Sequence, residues 1–589
     1  MSRTSGERRL DVAVKSLAGV YPWPAPDAGD DLSRALAFLD SARAPSEVVA
    51  AGYVAGAVAA ALLLPLTVVL PPLVATAAAV AAGFGTMYAA HRGPVVLARI
   101  RRTRALGASS DLVGRAVLRM RLDPALEGAA AFAARGGDGP LVRSLRRHVR
   151  RAAGTPRSGL DDFAAEWGSS FAALDRSVSL LVAGAAAPAE ERARTLDRAL
   201  DTVLEGTREE LAAFAGRVRG PATGLYAFGV LLPLALVGVV PAAGVAGIGV
   251  TPLAFVLVYD LLLPGGLLTA SVWLVSRRPV AFPPPSVTRD HPGVPERRWS
   301  EPAAALSAGV TGWVGAGVAA GDWAAPVAAV GAGAGAWLVV RYRPVASVRE
   351  RVRAVEAGLP DALYLVGRRV AEGVAVEVAL DRAADEVPDA TGDVLGDAVR
   401  VGRTLRVDVH SAFLGDCGAL ADVPSPRLRG AARLLALAAA EGRPAGETVV
   451  AMADQLADLR RLEREARREL ASVTGTLSNT AALFGPLVGG ATVALADAMA
   501  DHAGGEGMTG APTAPNGAAG ATGGAALATA DLGPAVFVYV LLLAAILTGL
   551  AVALERGLDP ALVGYRVGLA LLSATATFLA AVAGAGLLA

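Results

Sequence analysis

Blocks of about twenty apolar residues, the length that crosses a bilayer as a helix, recur along this chain between stretches dense in arginine and carboxylates. No other feature constrains the fold as much. Inside lipid only a helix or a closed barrel satisfies its own backbone polar groups. Nine blocks have the necessary length, at 49–70, 73–91, 222–247, 251–275, 303–320, 324–340, 476–499, 532–554 and 567–588. Pro71-Pro72 turns the first two into a hairpin. The expectation is an all-α, polytopic membrane protein with about nine transmembrane helices.

Arginine placement orients these spans, because basic residues near span ends stay in the cytoplasm. Arg92, Arg99, Arg101, Arg102 and Arg104 follow the second block. Arg217 and Arg219 precede the third, and Arg277 and Arg278 follow the fourth. Arg341, Arg343, Arg349, Arg351 and Arg353 follow the sixth; Arg467 and Arg468 precede the seventh. The opposite loops, around Pro71, Ala246 and Asp322, carry no basic residue, and neither does the low-complexity loop 500–531. Residues 1–47 lack the apolar core of a secretory signal, so the first block is expected to be an uncleaved anchor.

The expected organisation is then a cytoplasmic N-terminal region (1–47), a transmembrane hairpin (48–91) and a first cytoplasmic helical domain (92–221). Two transmembrane helices (222–275), a Pro-rich cytoplasmic linker (276–302) and a second hairpin (303–340) follow. A second cytoplasmic helical domain (341–474) leads into three transmembrane helices with a flexible external loop at 500–531 (475–589). The N-terminus is expected in the cytoplasm and the C-terminus outside.

The two charged regions are expected to be homologous. At an offset of 253 residues, Leu112-Val113-Gly114-Arg115 falls on Leu365-Val366-Gly367-Arg368, and Pro233-Leu234 on Pro486-Leu487. With a one-residue slip, the stretch 122–126 falls on 376–380. A shared offset at both ends of a block points to duplication. In the second region Pro360 suits the first turn of a helix. Leu359, Leu363, Val366 and Val370 give that helix an apolar face, and Gly373 ends or bends it. Leu456, Leu459, Leu462, Ala466 and Leu470 make a second stripe that leads straight into the span at 476–499, so one long helix is expected to cross from domain to membrane. Its other face carries Arg460, Arg461, Arg464, Arg468 and the i,i+4 pair Glu463 and Arg467.

Catalytic signatures are missing. Cys417 is the one cysteine, so an intrachain disulfide and a CxxC site are excluded; it reads as a small side chain packed in a helical bundle. Lys15 is the one lysine, so a GxxxxGK phosphate loop cannot exist. The five histidines are scattered, without HExxH, and no GxSxG occurs. The carboxylates stand among arginines at helical spacing, as ion pairs do. No enzymatic activity and no cofactor are expected. A net charge of +1 gives no signal for nucleic acid. Within the apolar blocks Asp260 is an exception, followed by Pro264, Gly265 and Gly266. An ionisable group in a span is a functional candidate. Asp260 reads as a polar contact to another span or a membrane-embedded client, as a structural carboxyl bonded internally, or as the sign of a span boundary that lies elsewhere. Transporters use such broken helices, but Thr513 stands at the repeat offset.

GLPDALYLVGRRVAEGVAVEVALDRAA (358–384) resembles the opening of the type II secretion system F family, whose pattern is LPxALxxLaxxLxxGxsLxxAL. GLYAFGVLLPLALVGVVP (224–241) and LSNTAALFGPLVGGATVAL (477–495) resemble its closing stretches. The resemblance covers roughly 105–275 and 355–500. Bacterial members have about three spans, so this chain, with an extra hairpin before each domain, looks more like the enlarged archaeal members. Its first domain departs from the pattern, with Ser109 and Ser110 near the place of the LP pair. The resemblance implies a platform protein of a type IV pilus, archaellum or type II secretion machine in the plasma membrane, without enzymatic activity. Such a protein couples a hexameric secretion ATPase to pilin-like membrane subunits and forms small homo-oligomers. It further implies docking of the ATPase on the charged domain faces, for which the candidates are Arg115, Arg119 and Asp123 in the first domain and Arg368, Arg369, Glu372 and Glu377 in the second. A polytopic transporter is the alternative, and it would need more polar residues in its spans.

Overall fold

A computed structural model describes all residues except 1–4, 25, 42, 69–71, 136–138, 156–157, 246–250, 279–286, 288–290, 295–298, 442, 506–528 and 587–589. Every regular element among the described residues is helical. The chain divides into two compact units, Met1–Arg104 and Ala105–Ala589.

In the first unit α1 (Ser5–Val20), α2 (Asp30–Phe38) and α3 (Pro45–Leu63) precede α4, which runs from Pro72 to Leu106. Leu32 and Leu36 of α2 bury against Val48 and Val49 of α3. Tyr21 stacks on Tyr53 with ring centroids 5.8 Å apart. Small residues let α3 and α4 approach closely: a Cβ on Gly56 would meet the Gly83 carbonyl at 2.7 Å.

The second unit opens with six helices that form a polar-surfaced bundle: α5 (Ser109–Leu122), α6 (Leu126–Arg135), α7 (Pro140–Ala152), α8 (Leu160–Gly168), α9 (Ala172–Ala186) and the first half of α10 (Ala189–Tyr226). Leu112, Met120, Leu141, Leu145, Phe163, Trp167 and Leu174 are fully buried in it. α10 does not stop at the bundle. It continues through a π-helical turn at Ala227–Leu231 into α11 (Leu232–Val245). Thr251 then caps α12 (Pro252–Val256), its Oγ1 accepting from the Ala254 N–H at 3.3 Å, with Pro252 in the first turn. A second π turn at Leu257–Leu262 leads into α13 (Leu263–Ser276).

α14 (Ser300–Ala319) packs against α15 (Ala325–Ala371). α15 spans 47 residues without a break and contains both Pro344 and Pro360. Pro360 therefore does not start a helix, contrary to expectation. The apolar face at Leu359, Leu363, Val366 and Val370 is buried, and packing along it holds the helix together past the missing N–H. Gly373 does end it. With φ at +95° it takes the left-handed conformation, and the Val374 N–H reaches back to the Arg369 carbonyl at 2.9 Å.

α16 (Val376–Glu386), α17 (Asp389–Leu405), α18 (Val409–Leu414) and α19 (Pro426–Glu441) follow. They pack with α15 and with α20 (Arg443–Asn479) around a second apolar core that includes Leu363, Val366, Leu380, Phe413, Leu435 and Leu456. Cys417 is exposed in the α18–α19 loop, not packed as expected. α20 continues, as expected, through a π turn at Thr480–Phe484 into α21 (Gly485–Gly505). The expected external loop is thus helical up to Gly505, and its centre lies outside the described residues, as does much of the expected Pro-rich linker. α22 (Thr529–Arg556) and α23 (Pro560–Gly586) close the chain.

Eight helices among the described residues are long and apolar enough to cross a membrane, which makes this a multi-pass membrane protein. The ninth expected span, 73–91, lies on α4, whose side chains are described only in part. α22 is the centre of the apolar bundle: 72% of its apolar window is buried in protein, against 6% for α14. α14, exposed nearly all round, is held by α15 through glycines. α15 is held in turn by α23, where a Cβ on Gly335 would meet the Gly568 carbonyl at 3.0 Å.

Candidate functional site

The expected docking residues divide into exposed and buried groups. Arg368 and Glu372 are exposed on the last turn of α15, 3.6 Å apart. Glu377 is exposed on the first turn of α16. Arg369 is mostly buried and donates to Glu386 at 2.5 Å. In the other bundle Arg119 donates to Asp123 at 3.1 Å, both partly exposed, and Asp123 also accepts from the Ala125 N–H. Arg115 is different. Its side chain is 8% exposed and donates to Asp111 at 2.5 Å, so it offers no open docking face.

Arg115 and Asp111 stand where the two polar bundles meet. Gly114 lies directly against Gln455 of α20, which leaves no room for a Cβ, and the Gln455 amide donates to the Ser110 carbonyl at 3.4 Å. Next to this contact is a charge cluster that no short motif announces. Arg427 on α19 lies between Glu463 of α20, to which it donates, and Glu356 of α15 at 3.6 Å. Ser425 donates to the same Glu356 at 2.5 Å. Burial alone would lower the pKa of the Arg427 guanidinium, but Glu463 and Glu356 outweigh it and hold it above its ordinary value. Glu463, expected on a solvated face with Arg467, is 13% exposed beneath Arg427; Arg467 is the longer contact, at 3.8 Å.

α10 and α20 run side by side in the same direction out of these bundles. Arg208 of α10 donates to Glu465 of α20 at 3.2 Å. Further along, Phe214 and Val218 of the one and Leu470 and Leu477 of the other enter the same apolar core. Each helix is interrupted by a proline shortly after it enters. Pro233 has no N–H for the carbonyl of Gly229, four residues back, and its ring crowds that carbonyl. The chain widens into the π turn at Ala227–Leu231, where the Leu232 N–H bonds to the Ala227 carbonyl. The hydroxyl of Tyr539 on α22 donates to the freed Gly229 carbonyl. Pro486 does the same to Ala482, and Ser573 of α23 donates to the Ala482 carbonyl at 2.9 Å. Tyr259 adds a bond to the Pro233 carbonyl at 2.7 Å.

The third π turn, Leu257–Leu262, precedes Pro264 and carries Asp260. Asp260 is half-buried, and its Oδ1 is buried without a hydrogen-bond partner among the described residues. The internal bond of a structural carboxyl is thus missing at that oxygen. The proline positions were legible in sequence; the hydroxyls that answer them come from α22 and α23, 310 and 91 residues from the carbonyls they meet, and were not. Comparison with protein-family models, with curated proteins and with solved structures finds no match.

Proposed function

We infer that the chain is a platform protein of a type IV pilus-like or type II secretion-like machine. In this reading it passes the motion of a cytoplasmic hexameric ATPase to pilin-like subunits in the plasma membrane. The carrying observation is the pair of long helices, each continuous from a polar bundle into the apolar bundle and broken at a matching place. α10 ends at Tyr226 and α20 at Asn479, 253 residues apart. The π turns, the prolines and the carbonyls that receive a hydroxyl, Gly229 and Ala482, keep that same offset. This supports two homologous cytoplasmic domains, each feeding a span. Rigid helices transmit displacement, and a π turn beside a proline gives each a defined place to bend.

Orientation with the bundles in the cytoplasm is supported by the basic ends of the spans. Arg277 sits over Trp273 at 4.1 Å and Arg341 over Trp337 at 4.7 Å, the pairing of aromatic belt and positive flank found at an interface. The same end holds the buried pair of Arg349 with Asp559, the residue that caps α23. A ninth span on α4 and an external C-terminus complete the proposed topology. ATPase docking falls to the exposed Arg368, Glu372 and Glu377, with Arg119 and Asp123 as a second patch.

The test is affinity purification of the tagged full-length protein from gently solubilised membranes, with mass spectrometry. Enrichment of a secretion ATPase and pilin-like proteins is expected, and their loss in an Arg368→Glu, Arg119→Glu double variant. Absence of any ATPase after crosslinking in cells would overturn the reading. Asp260 then favours the second reading, a transporter, which uptake of labelled solutes into proteoliposomes would test.

A further inference from the structure

A cavity of about 400 Å³ lies between the two polar bundles, within the size range of small-molecule sites. Arg115, Phe132 and Arg135 of α5–α6 form one wall, Gly430 and Arg433 of α19 the other, with Met452 of α20 behind. Three guanidinium groups line it, and among the described residues no carboxylate does. Arg433 crosses between the walls, donating to the Arg135 carbonyl at 3.2 Å. Arg115 supplies an observation independent of this charge count. Its side chain is more than nine-tenths buried, Asp111 occupies Nη1, and its Nε, also buried, has no hydrogen-bond partner among the described residues. Asp111 is the carboxylate bonded to this guanidinium, and an anion in the cavity that Arg115 lines would add a charge-assisted partner to a group held out of bulk water.

Gly430 points the same way. It lies inside α19, where glycine costs about 1 kcal/mol of helix stability relative to alanine. Some glycines of this protein make room for a neighbouring helix, and others, such as Gly220 and Gly317, face open space. A Cβ on Gly430 would meet nothing within 4 Å. The space it keeps open is the cavity. The remaining wall is apolar, with Phe132 presenting an aromatic side chain and Met452 a thioether that adapts to a ring.

We propose that this cavity binds an organic phosphate of mononucleotide size, the phosphate on Arg115 and Arg433 and the ring against Phe132 and Met452. Because both bundles contribute to it, such a ligand would hold them together. The test uses the full-length protein in detergent and phosphate-free buffer, with AMP as probe and adenosine and inorganic phosphate as its two halves, measured by calorimetry. AMP is expected to bind at least tenfold more tightly than either half. Arg433→Glu should weaken binding at least tenfold, and Gly430→Leu should abolish it while leaving the thermal midpoint unchanged or raised. Arg368→Glu, outside the cavity, should change nothing. Absence of saturable AMP binding overturns the proposal, as does binding unaltered by Arg433→Glu or Gly430→Leu. Inorganic phosphate binding as tightly as AMP overturns the organic part of it. Arg433 is exposed, so its variant keeps the test decisive should Gly430→Leu fold poorly.

Discussion

At the scale of residues, two charge clusters carry specific consequences. Arg427 bridges Glu356 and Glu463, whose side chains are only 14% and 13% exposed. Removing one partner of a buried pair strands the others, which typically costs about 3–5 kcal/mol. Arg427→Ala should lower stability by that order, read as the thermal midpoint of the detergent-solubilised protein. Adding Glu463→Gln should recover part of the loss, because one stranded charge is then gone. The second cluster links α7 to α8. Trp167 donates to Ser144, Ser144 donates to Glu166 at 2.8 Å, and His148 meets the same Glu166 oxygen at 2.7 Å. Burial raises the Glu166 pKa, but these hydrogen bonds and the nearby Arg147 outweigh it, leaving it below the usual carboxylate value. A depressed folded pKa contributes stability that is present above the unfolded value, near 4.5. That contribution disappears as the pH falls through the folded value. Between pH 7 and pH 3 the wild-type midpoint should therefore fall more than that of Glu166→Gln, and parallel profiles would refute the assignment.

At the scale of elements, the paired π turns give a sharper test. If Tyr539 satisfies the carbonyl that Pro233 frees, Tyr539→Phe should cost about 1 kcal/mol or more in the wild-type background. In a Pro233→Ala background the alanine supplies its own N–H, and the same change should be nearly neutral. Ser573→Ala against Pro486→Ala should behave alike. Equal costs in both backgrounds would mean that hydroxyl and proline act independently. These elements also mark what the sequence can reveal. Hydropathy located eight of the nine expected apolar helices because a lipid-crossing helix is set by local composition, and the stripe from Leu456 to Leu470 foretold that α20 runs on into the next apolar helix. Pro360 misled, because the same residue type begins one helix and lies within another. The difference is whether packing along the flanking face, here Leu359 to Val370, outweighs one lost hydrogen bond. Arg427, Gln455 and the Arg115 cavity were invisible for a related reason: each is made by helices distant in sequence, and no spacing encodes them.

At the scale of the whole molecule, one form of the proposed mechanism has α10 and α20 shift against each other as the ATPase turns over. Arg208 and Glu465, about half exposed, form a polar contact between them, and a surface pair of this kind contributes less than about 1 kcal/mol. Its loss should not disturb folding, so the position can be used for a lock. Arg208→Cys with Glu465→Cys, in a Cys417→Ser background that removes the one native thiol, should be joined readily by a short bismaleimide. Each single cysteine should leave filament assembly intact, and so should the double variant before crosslinking. After crosslinking, ATPase co-purification should persist while assembly stops, since docking needs only the outer faces of the bundles and coupling needs the two helices to shift. Assembly that continues through the crosslink would mean that the helices act as one rigid stalk. Motion would then have to pass through the pair as one body, with the π turns serving only to seat the prolines against α22 and α23.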